Sequence, residues 1–216
     1  KPTMDRSCRS CHPPPPKVAR KHDPEASRAA ILDAAERLFL ERGFAGASMS
    51  EIAKISQVTK SLIHHHFGSK EALWREIKRR RFASYHAQQT ALFASEGPSA
   101  ALLRESMRVY FRFLHDNPET VRLMSWVQLE GDRELTEMIQ ELRDAGIAHL
   151  QAAQAAGVLR ADVPAPFILM TFVGLVRAWF GDRAQAGEAD PAEAEAYLDC
   201  AWAMFSGGAL VRDEPR

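Results

Sequence analysis

Three consecutive histidines, His64, His65 and His66, are side chains of this sequence that could hold a metal ion. Imidazole is a common metal ligand, and a helix holds a metal between histidines that are spaced i and i+4. These three are adjacent, so a helix would direct them to different sides. With Ile63 and Phe67 facing the core, His65 points outward, His64 lies on the flank and His66 lies near the core. The spacing predicts no metal site, and it leaves His64 and His65 to meet a polar partner such as phosphate.

A second group, Cys8, Cys11 and His12, has the Cys-x-x-Cys-His spacing of haem attachment. A helical haem or metal redox protein that uses this motif is therefore one alternative. However, the four prolines at 13–16 favour an extended chain, and no apolar export signal precedes the motif. We expect residues 1–24 to form a disordered leader, and we expect no cofactor.

Charge is divided unequally along the chain. Lysine and arginine together number 28, as do aspartate and glutamate, yet residues 1–90 hold 17 basic and nine acidic residues. Residues 91–216 hold 11 basic and 19 acidic residues. This asymmetry predicts an N-terminal module that binds a polyanion, joined to an acidic module that does not.

Cysteine content and hydropathy narrow the class of protein further. Three cysteines, the third being Cys200, are too few for a disulfide scaffold, which favours a reducing cytoplasm. The longest apolar run, 167–176, is half of the roughly 20 residues that a membrane-spanning helix needs, so we expect no membrane association. Since no P-loop, HExxH or nucleophile–base motif is present, we expect no enzyme.

Hydrophobic periodicity predicts an all-α protein of about nine helices and no sheet. Ile31, Ala34, Ala35, Leu38 and Phe39 form an i, i+3, i+4, i+7, i+8 stripe, and similar stripes continue along the chain. Helices should end near Gly43, Gly68 and Pro98 and at the 115–118 and 157–164 connectors, and residues 187–191 should cap the start of the last helix. Residues 207–216 are expected to fray as a C-terminal tail.

Within residues 25–75 the pattern predicts three helices with a tight turn between the second and third. That is the arrangement of a helix-turn-helix, in which the second helix of the pair enters the major groove of DNA. Basic residues surround the third helix, namely Lys54, Lys60, Lys70 and those at 78–81.

The stretch "RAAILDAAERLFLERGFAGASMSEIAKISQVTKSLIHHHFGSKEALW" resembles the DNA-binding domain of the TetR/AcrR family of transcriptional regulators. The resemblance covers roughly residues 25–82 and includes "LFLERGF", "SMSEIAKIS", "VTK" and "HFGSKEAL". One departure concerns backbone geometry: Gln57 stands where the family usually has the turn glycine, so we expect a left-handed backbone there.

The resemblance implies a helix-turn-helix at 48–67 within a DNA-binding domain at 25–82. It also implies which side chains meet DNA: Met49, Ser50, Thr59, Lys60, Ser61, Leu62, His64, His65 and Lys70. The chemistry of these residues agrees, since lysine donates to guanine acceptors and leucine can contact a thymine methyl group. Lys70 opens a helix, where phosphate is already favoured.

Residues 83–206 would then form an effector-binding and dimerisation domain. The helices at about 164–181 and 190–206 would pair with a second copy, since the first is apolar nearly all round. Effector contacts are expected from large apolar residues and two histidines: Phe111, His115, Met124, Trp126, Met138, His149, Met170, Phe172 and Trp179. This lining favours an apolar or aromatic ligand.

The sequence therefore predicts a homodimeric, cytoplasmic transcriptional regulator, a repressor that leaves a palindromic double-stranded DNA operator when it binds a small effector. Besides the redox protein, the remaining alternative is a helical interaction protein that does not bind DNA.

Overall fold

A computed structural model describes residues 23–95, 97–131, 137–183 and 190–211. These residues form nine α-helices and no strand, which confirms the all-α prediction. None of the described helices is both long and apolar enough to cross a bilayer. The helices are α1 (Pro24–Gly46), α2 (Met49–Ser56), α3 (Lys60–Phe67), α4 (Lys70–Ser95), α5 (Ala100–Asp116), α6 (Pro118–Leu129), α7 (Glu137–Ala155), α8 (Ala165–Arg183) and α9 (Pro191–Ala209).

Side-chain caps define the short helices near the N-terminus. The Ser48 hydroxyl accepts a hydrogen bond from the backbone N–H of Glu51 at 3.2 Å and donates to its carboxylate at 2.7 Å, which starts α2. The Thr59 hydroxyl accepts from the N–H of Leu62 at 3.2 Å and starts α3. Gln57, which ends α2, has φ 57° and ψ 30°, so the left-handed backbone expected at this position is confirmed.

The first four helices share one apolar core. Phe39 and Ile31 of α1, Ile52 of α2, Ile63 of α3 and Ile77 of α4 are fully buried there. Burial of one such side chain stabilises a fold by roughly 1.5–3 kcal/mol, so this core holds the short α2 and α3 in place.

Ion pairs fasten α1 to α4 outside that core. Arg28 pairs with Glu76 at 2.6 Å and Asp33 with Arg80 at 2.9 Å, and Glu36 pairs with Arg81. The Arg79 guanidinium, and then that of Arg28, lower the pKa of Glu76 to about 2. These ion pairs fasten the long α4 to α1 along the outside of the core.

Helix α4 runs without a break through the proposed domain boundary at 82–83. Beyond that point it is tied to α5 by a buried polar pair: the Gln89 amide donates to the Ser106 carbonyl, and the Ser106 hydroxyl donates to the Gln89 side-chain carbonyl, each at 3.0 Å. The ring of Tyr85 stacks on Phe113 at 4.9 Å. Nearby, burial raises the pKa of Tyr110 to about 12.

The two ends of the chain differ in what the structure shows. Residues 1–22, including Cys8, Cys11 and His12, lie outside the described residues. At the other end, the expectation that fraying starts at 207 is wrong, because α9 continues to Ala209. Leu210 then forms an isolated antiparallel bridge with Leu159, which is fully buried. The backbone N–H groups of Arg160 and Val211 donate to the carbonyls of Ala209 and Val158 at 3.0 and 3.2 Å, and these hydrogen bonds hold the segment on the fold.

Candidate nucleic-acid interface and effector cavity

The surface of α3 is polar, and it is positioned by a single buried residue. Ile63 is fully buried against α1, α2 and α4, while Lys60 and Ser61, in the first turn, are exposed. Leu62 is half-buried beside them. Hydrogen-bonding side chains at the N-terminal end of a helix are the arrangement by which a recognition helix reads base edges.

The three histidines take the three orientations that the helical wheel gives them. His64 and His65 are exposed, and His66 is half-buried with its Nε2 enclosed and without a hydrogen-bond partner among the described residues. The Nδ1 of His64 lies 2.7 Å from the carbonyl oxygen of Gly68, to which it must donate. The Nε2 of His64 can then accept a hydrogen bond from DNA, or donate one to phosphate when the ring is protonated.

Two of the residues predicted to contact DNA, Met49 and Thr59, also have structural roles that limit how they can do so. The side chain of Met49 is buried in the core, so this residue can offer DNA its backbone but not its thioether. Ser50 is exposed beside it. The hydroxyl oxygen of Thr59 caps α3 and thereby positions Lys60. This capping role is additional to any contact that Thr59 makes with DNA.

The basic residues that surround α3 in the sequence do not share one role. Lys70, at the start of α4, holds its ammonium 4.3 Å from the centre of the Phe44 ring. Lys78 is buried, with its ammonium 5.4 Å from the Trp74 ring. The three arginines that follow, at 79–81, pair with carboxylates of α4 and α1. Arg80 and Arg81 therefore fasten α4 to α1, while Arg79 pairs within α4.

A joint connects α1 to α6 close to this interface. The Glu130 carboxylate, just past α6, accepts hydrogen bonds from the backbone N–H groups of Phe44 and Ala45, both at 3.0 Å. The Trp126 indole donates to the carbonyl of Leu40 at 3.0 Å. Gly43 kinks α1 at this point with φ 71° and ψ −180°, a backbone conformation that is reserved for glycine. A Cβ on Gly43 would lie 2.5 Å from Glu130 and 2.7 Å from Trp126.

A cavity of about 190 Å³ lies on the other side of α6, between α5, α6 and α8. Its apolar lining residues are Leu114, Val121, Met124 and Phe180, and its polar lining residues are Ser125, Gln128 and Arg177. Helix α6 thus lines the cavity along one face and holds α1 from its other face.

The structure brings some of the predicted effector residues together. Phe111 and Trp179 are buried in an aromatic cluster, with ring centres 6.1 Å apart, and Phe180 joins the Phe111 ring at 5.3 Å. Met124 lines the cavity itself. Phe180 belongs to both the cluster and the cavity lining, so the aromatic cluster packs beside the cavity, although Phe111 and Trp179 do not line it.

The other predicted effector residues lie elsewhere. Trp126 belongs to the α1 joint, Phe172 packs on Phe205 at 5.4 Å, and His149 stacks on Phe93 at 5.0 Å, where burial lowers its pKa. His115 is exposed at the end of α5 and Met170 is 67% exposed on α8. The side chain of Met138 lies outside the described residues.

Sequence reasoning did not select Arg177, Gln128 or Phe180 as site residues. A signal was present for one of them, because Arg177 is a lone charge within the long apolar stretch of α8. A charge in such a helix needs a polar partner or an opening to water. The position of Gln128 opposite Arg177 depends on the packing of α6 against α8, which no local pattern encodes.

Comparison with known proteins agrees with this arrangement. The family model described as "Bacterial regulatory proteins, tetR family" matches residues 31–77, and that of "Tetracyclin repressor-like, C-terminal domain" matches residues 106–204. The regulator RutR of Escherichia coli K12 is 30% identical over 149 residues, which is 67% of this chain and 70% of RutR. The repressor NemR of the same organism is 39% identical over 75 residues, 35% of this chain, and the match spans 38% of NemR's length.

A solved structure is also similar along most of its length. The TetR family regulator from Pseudomonas syringae pv. tomato superposes with a TM-score of 0.66 at 26% identity, covering 86% of this chain and 97% of that one. The chain therefore belongs to the TetR family of bacterial transcriptional regulators, as the resemblance in its N-terminal part predicts.

Proposed function

We propose that this chain is a DNA-binding transcriptional repressor that acts as a homodimer on a palindromic operator in the cytoplasm. The observation that carries the proposal is the exposed face of α3, where Lys60, Ser61 and His65 point away from the core while Ile63 fixes the helix from below. Lys60 and Ser61 would read base edges, and His64, His65 and Lys70 would contact the DNA backbone.

The dimer would form through α8 and α9. Large apolar side chains are exposed on these two helices: Phe167 is 58%, Met170 67% and Met204 66% exposed. An apolar surface of this kind favours a subunit interface, and twofold symmetry would place two α3 helices on successive major grooves. Met170 then serves the interface rather than an effector site.

Helix α6 would carry the effector signal. Because Met124 and Gln128 line the cavity while Trp126 and Glu130 hold the kink of α1, a ligand that shifts α6 must also shift α1. The ion pairs between α1 and α4 would pass that shift to the whole DNA-binding domain, changing the separation of the two α3 helices.

Selection of bound sequences from a random DNA pool tests the central claim. A palindromic enriched sequence is expected, and binding to it should weaken steeply as salt rises because phosphate contacts release counterions. Replacing Lys60 with Ala should cost about 1–3 kcal/mol and relax base preference at one position per half-site. Arg122→Ala, at an exposed position on α6 outside the helix-turn-helix, is the control and should leave operator binding unchanged.

Absence of any enriched sequence from a folded dimer would contradict the proposal and favour the helical interaction protein. Oligomeric state is measured independently, by light scattering on the wild type and on Met170→Glu and Met204→Glu. Charges in the proposed interface should give a folded monomer whose operator affinity falls, whereas a monomeric wild type would contradict the dimer.

A further inference from the structure

We infer that the cavity between α5, α6 and α8 takes a small amphipathic anion, such as a monocarboxylic acid with one ring or a short branched chain, and that Arg177 binds its carboxylate. This inference rests on the proposed function, since it specifies the effector of that regulator. It also differs from the sequence prediction of a ligand that is merely apolar or aromatic.

The first support is the mixed lining of the cavity. The apolar side chains of Leu114, Met124 and Phe180 line it together with the polar groups of Gln128 and Arg177. The Gln128 side-chain oxygen accepts a hydrogen bond from the Arg177 guanidinium at 3.3 Å. A ligand that satisfies this lining carries an apolar body and a polar group that accepts hydrogen bonds.

The second support is that Arg177 lines the cavity without a carboxylate partner. Arg104 and Arg160, in the same half of the chain, pair with carboxylates at 2.8 and 2.5 Å. Arg177, like Arg122 and Arg143, forms no ion pair in the described part of the chain, and the acceptor that it contacts is a neutral amide. Of these three arginines, only Arg177 lines the cavity, so its charge is available to a ligand there.

An arginine in this state favours a carboxylate over a neutral polar group. A guanidinium can give a carboxylate two parallel N–H donors, and such charge-assisted hydrogen bonds are roughly twice as strong as neutral ones. The Gln128 amide can rotate to donate its N–H₂ to the same carboxylate. Because Arg177 is exposed at the cavity mouth, the expected gain is modest, about tenfold in affinity.

Cavity size limits the apolar part of the ligand. An engineered apolar cavity of about 150 Å³ binds benzene. The cavity described here, about 190 Å³, therefore accommodates one ring or four to six carbon atoms with a carboxylate at the arginine. Larger anions such as fused-ring acids would have to displace Met124 or Phe180.

Benzoate and benzyl alcohol test the inference, because they share a ring and differ in charge. Isothermal titration calorimetry on the full-length protein should show benzoate binding about tenfold more tightly than benzyl alcohol. Arg177→Gln should remove that preference by weakening benzoate about tenfold, while leaving benzyl alcohol within about twofold. Arg112→Gln is the matched control, since Arg112 is an exposed arginine on α5, 3.5 Å from Glu195 and outside the cavity lining.

The inference is overturned if benzyl alcohol binds wild type as tightly as benzoate, if Arg177→Gln leaves benzoate affinity unchanged, or if benzoate shows no saturable binding up to about 10 mM. Circular dichroism of each variant confirms folding, and retained benzyl alcohol binding confirms an intact cavity. Operator binding by ligand-free protein is measured in parallel. Operator binding without benzoate binding overturns this inference alone, and benzoate binding without any operator overturns the proposed function alone.

Discussion

The DNA-binding end and the effector end of this chain are both helical, but different forces hold them. In the first, short helices with side-chain caps surround a small core, and α1 is fastened to α4 by ion pairs. In the second, longer helices pack through aromatic rings around Phe111 and leave both a cavity and an apolar outer face. The first unit is thus held by polar and apolar contacts together, whereas the packing of the second leaves space inside it and apolar surface outside it.

The two regions meet at the Gly43 kink, and this joint provides the largest expected effect. Gly43→Ala would place a Cβ against Glu130 and Trp126 in a conformation that alanine strongly disfavours. Backbone strain and overpacking together should lower the free energy of unfolding by about 3–5 kcal/mol, measured by chemical denaturation.

Gly146→Ala, in α7, is the control for that variant. Its added Cβ would lie 3.6 Å from Leu169, an ordinary contact, so stability should stay constant or rise by up to about 1 kcal/mol. If both variants lose the same free energy of unfolding, the conformation of Gly43 has no particular importance for stability.

Glu130→Ala removes the acceptor from the backbone N–H groups of Phe44 and Ala45 without adding strain. We expect a loss of about 2 kcal/mol, because Phe44 is half-buried and its N–H is left without a partner. In addition, the two regions should unfold less cooperatively, which near-UV and far-UV circular dichroism would show as separate transitions. Glu195→Ala, which breaks an exposed pair with Arg112, should cost less than about 0.5 kcal/mol.

The ion pairs of the DNA-binding end predict a response to pH. The Arg79 and Arg28 guanidiniums lower the pKa of Glu76 to about 2, from an ordinary value of 4.5. A carboxyl whose pKa is lower in the folded state stabilises the fold above its unfolded pKa. That stabilisation is lost as pH falls from about 4.5 to about 2.

Glu76→Gln should therefore destabilise the protein at pH 7 by about 1–2 kcal/mol, a figure reduced for the exposure of both arginines. The difference from wild type should shrink as pH approaches 2. Asp33→Asn is the control, because Asp33 is 64% exposed and its loss should cost less than about 0.5 kcal/mol. If Glu76→Gln lowers the free energy of unfolding by the same amount at every pH, the ionised Glu76 carboxylate is not the source of the stabilisation.

The smallest expected effect concerns the turn between α2 and α3. Gln57 adopts φ 57°, which costs a non-glycine residue about 1 kcal/mol. Gln57→Gly should raise the free energy of unfolding by about 0.5–1 kcal/mol, and Gln57→Ala, which keeps the same strain, should change it little. Identical thermal denaturation midpoints for the Gly and Ala variants would mean that the turn is not strained.

The amount that could be predicted from sequence differs between the two regions for a physical reason. Caps, turns and the stripe of α1 depend on residues three or four positions apart, so the helix-turn-helix and the orientations of His64, His65 and His66 could be predicted. The roles of Arg80 and Arg81 could not, because their carboxylate partners on α1, Asp33 and Glu36, lie 47 and 45 positions away in the chain.

The sequence by itself determined the helices, their caps, the family resemblance and the polar face of α3, since local spacing decides all of these. The tertiary structure alone decided that Glu130 binds the backbone of Phe44, 86 residues earlier, that Arg177 lines a cavity, and that Met49 is buried. Such contacts arise when distant helices pack, and packing depends on the shape of both surfaces, which no short stretch of sequence contains.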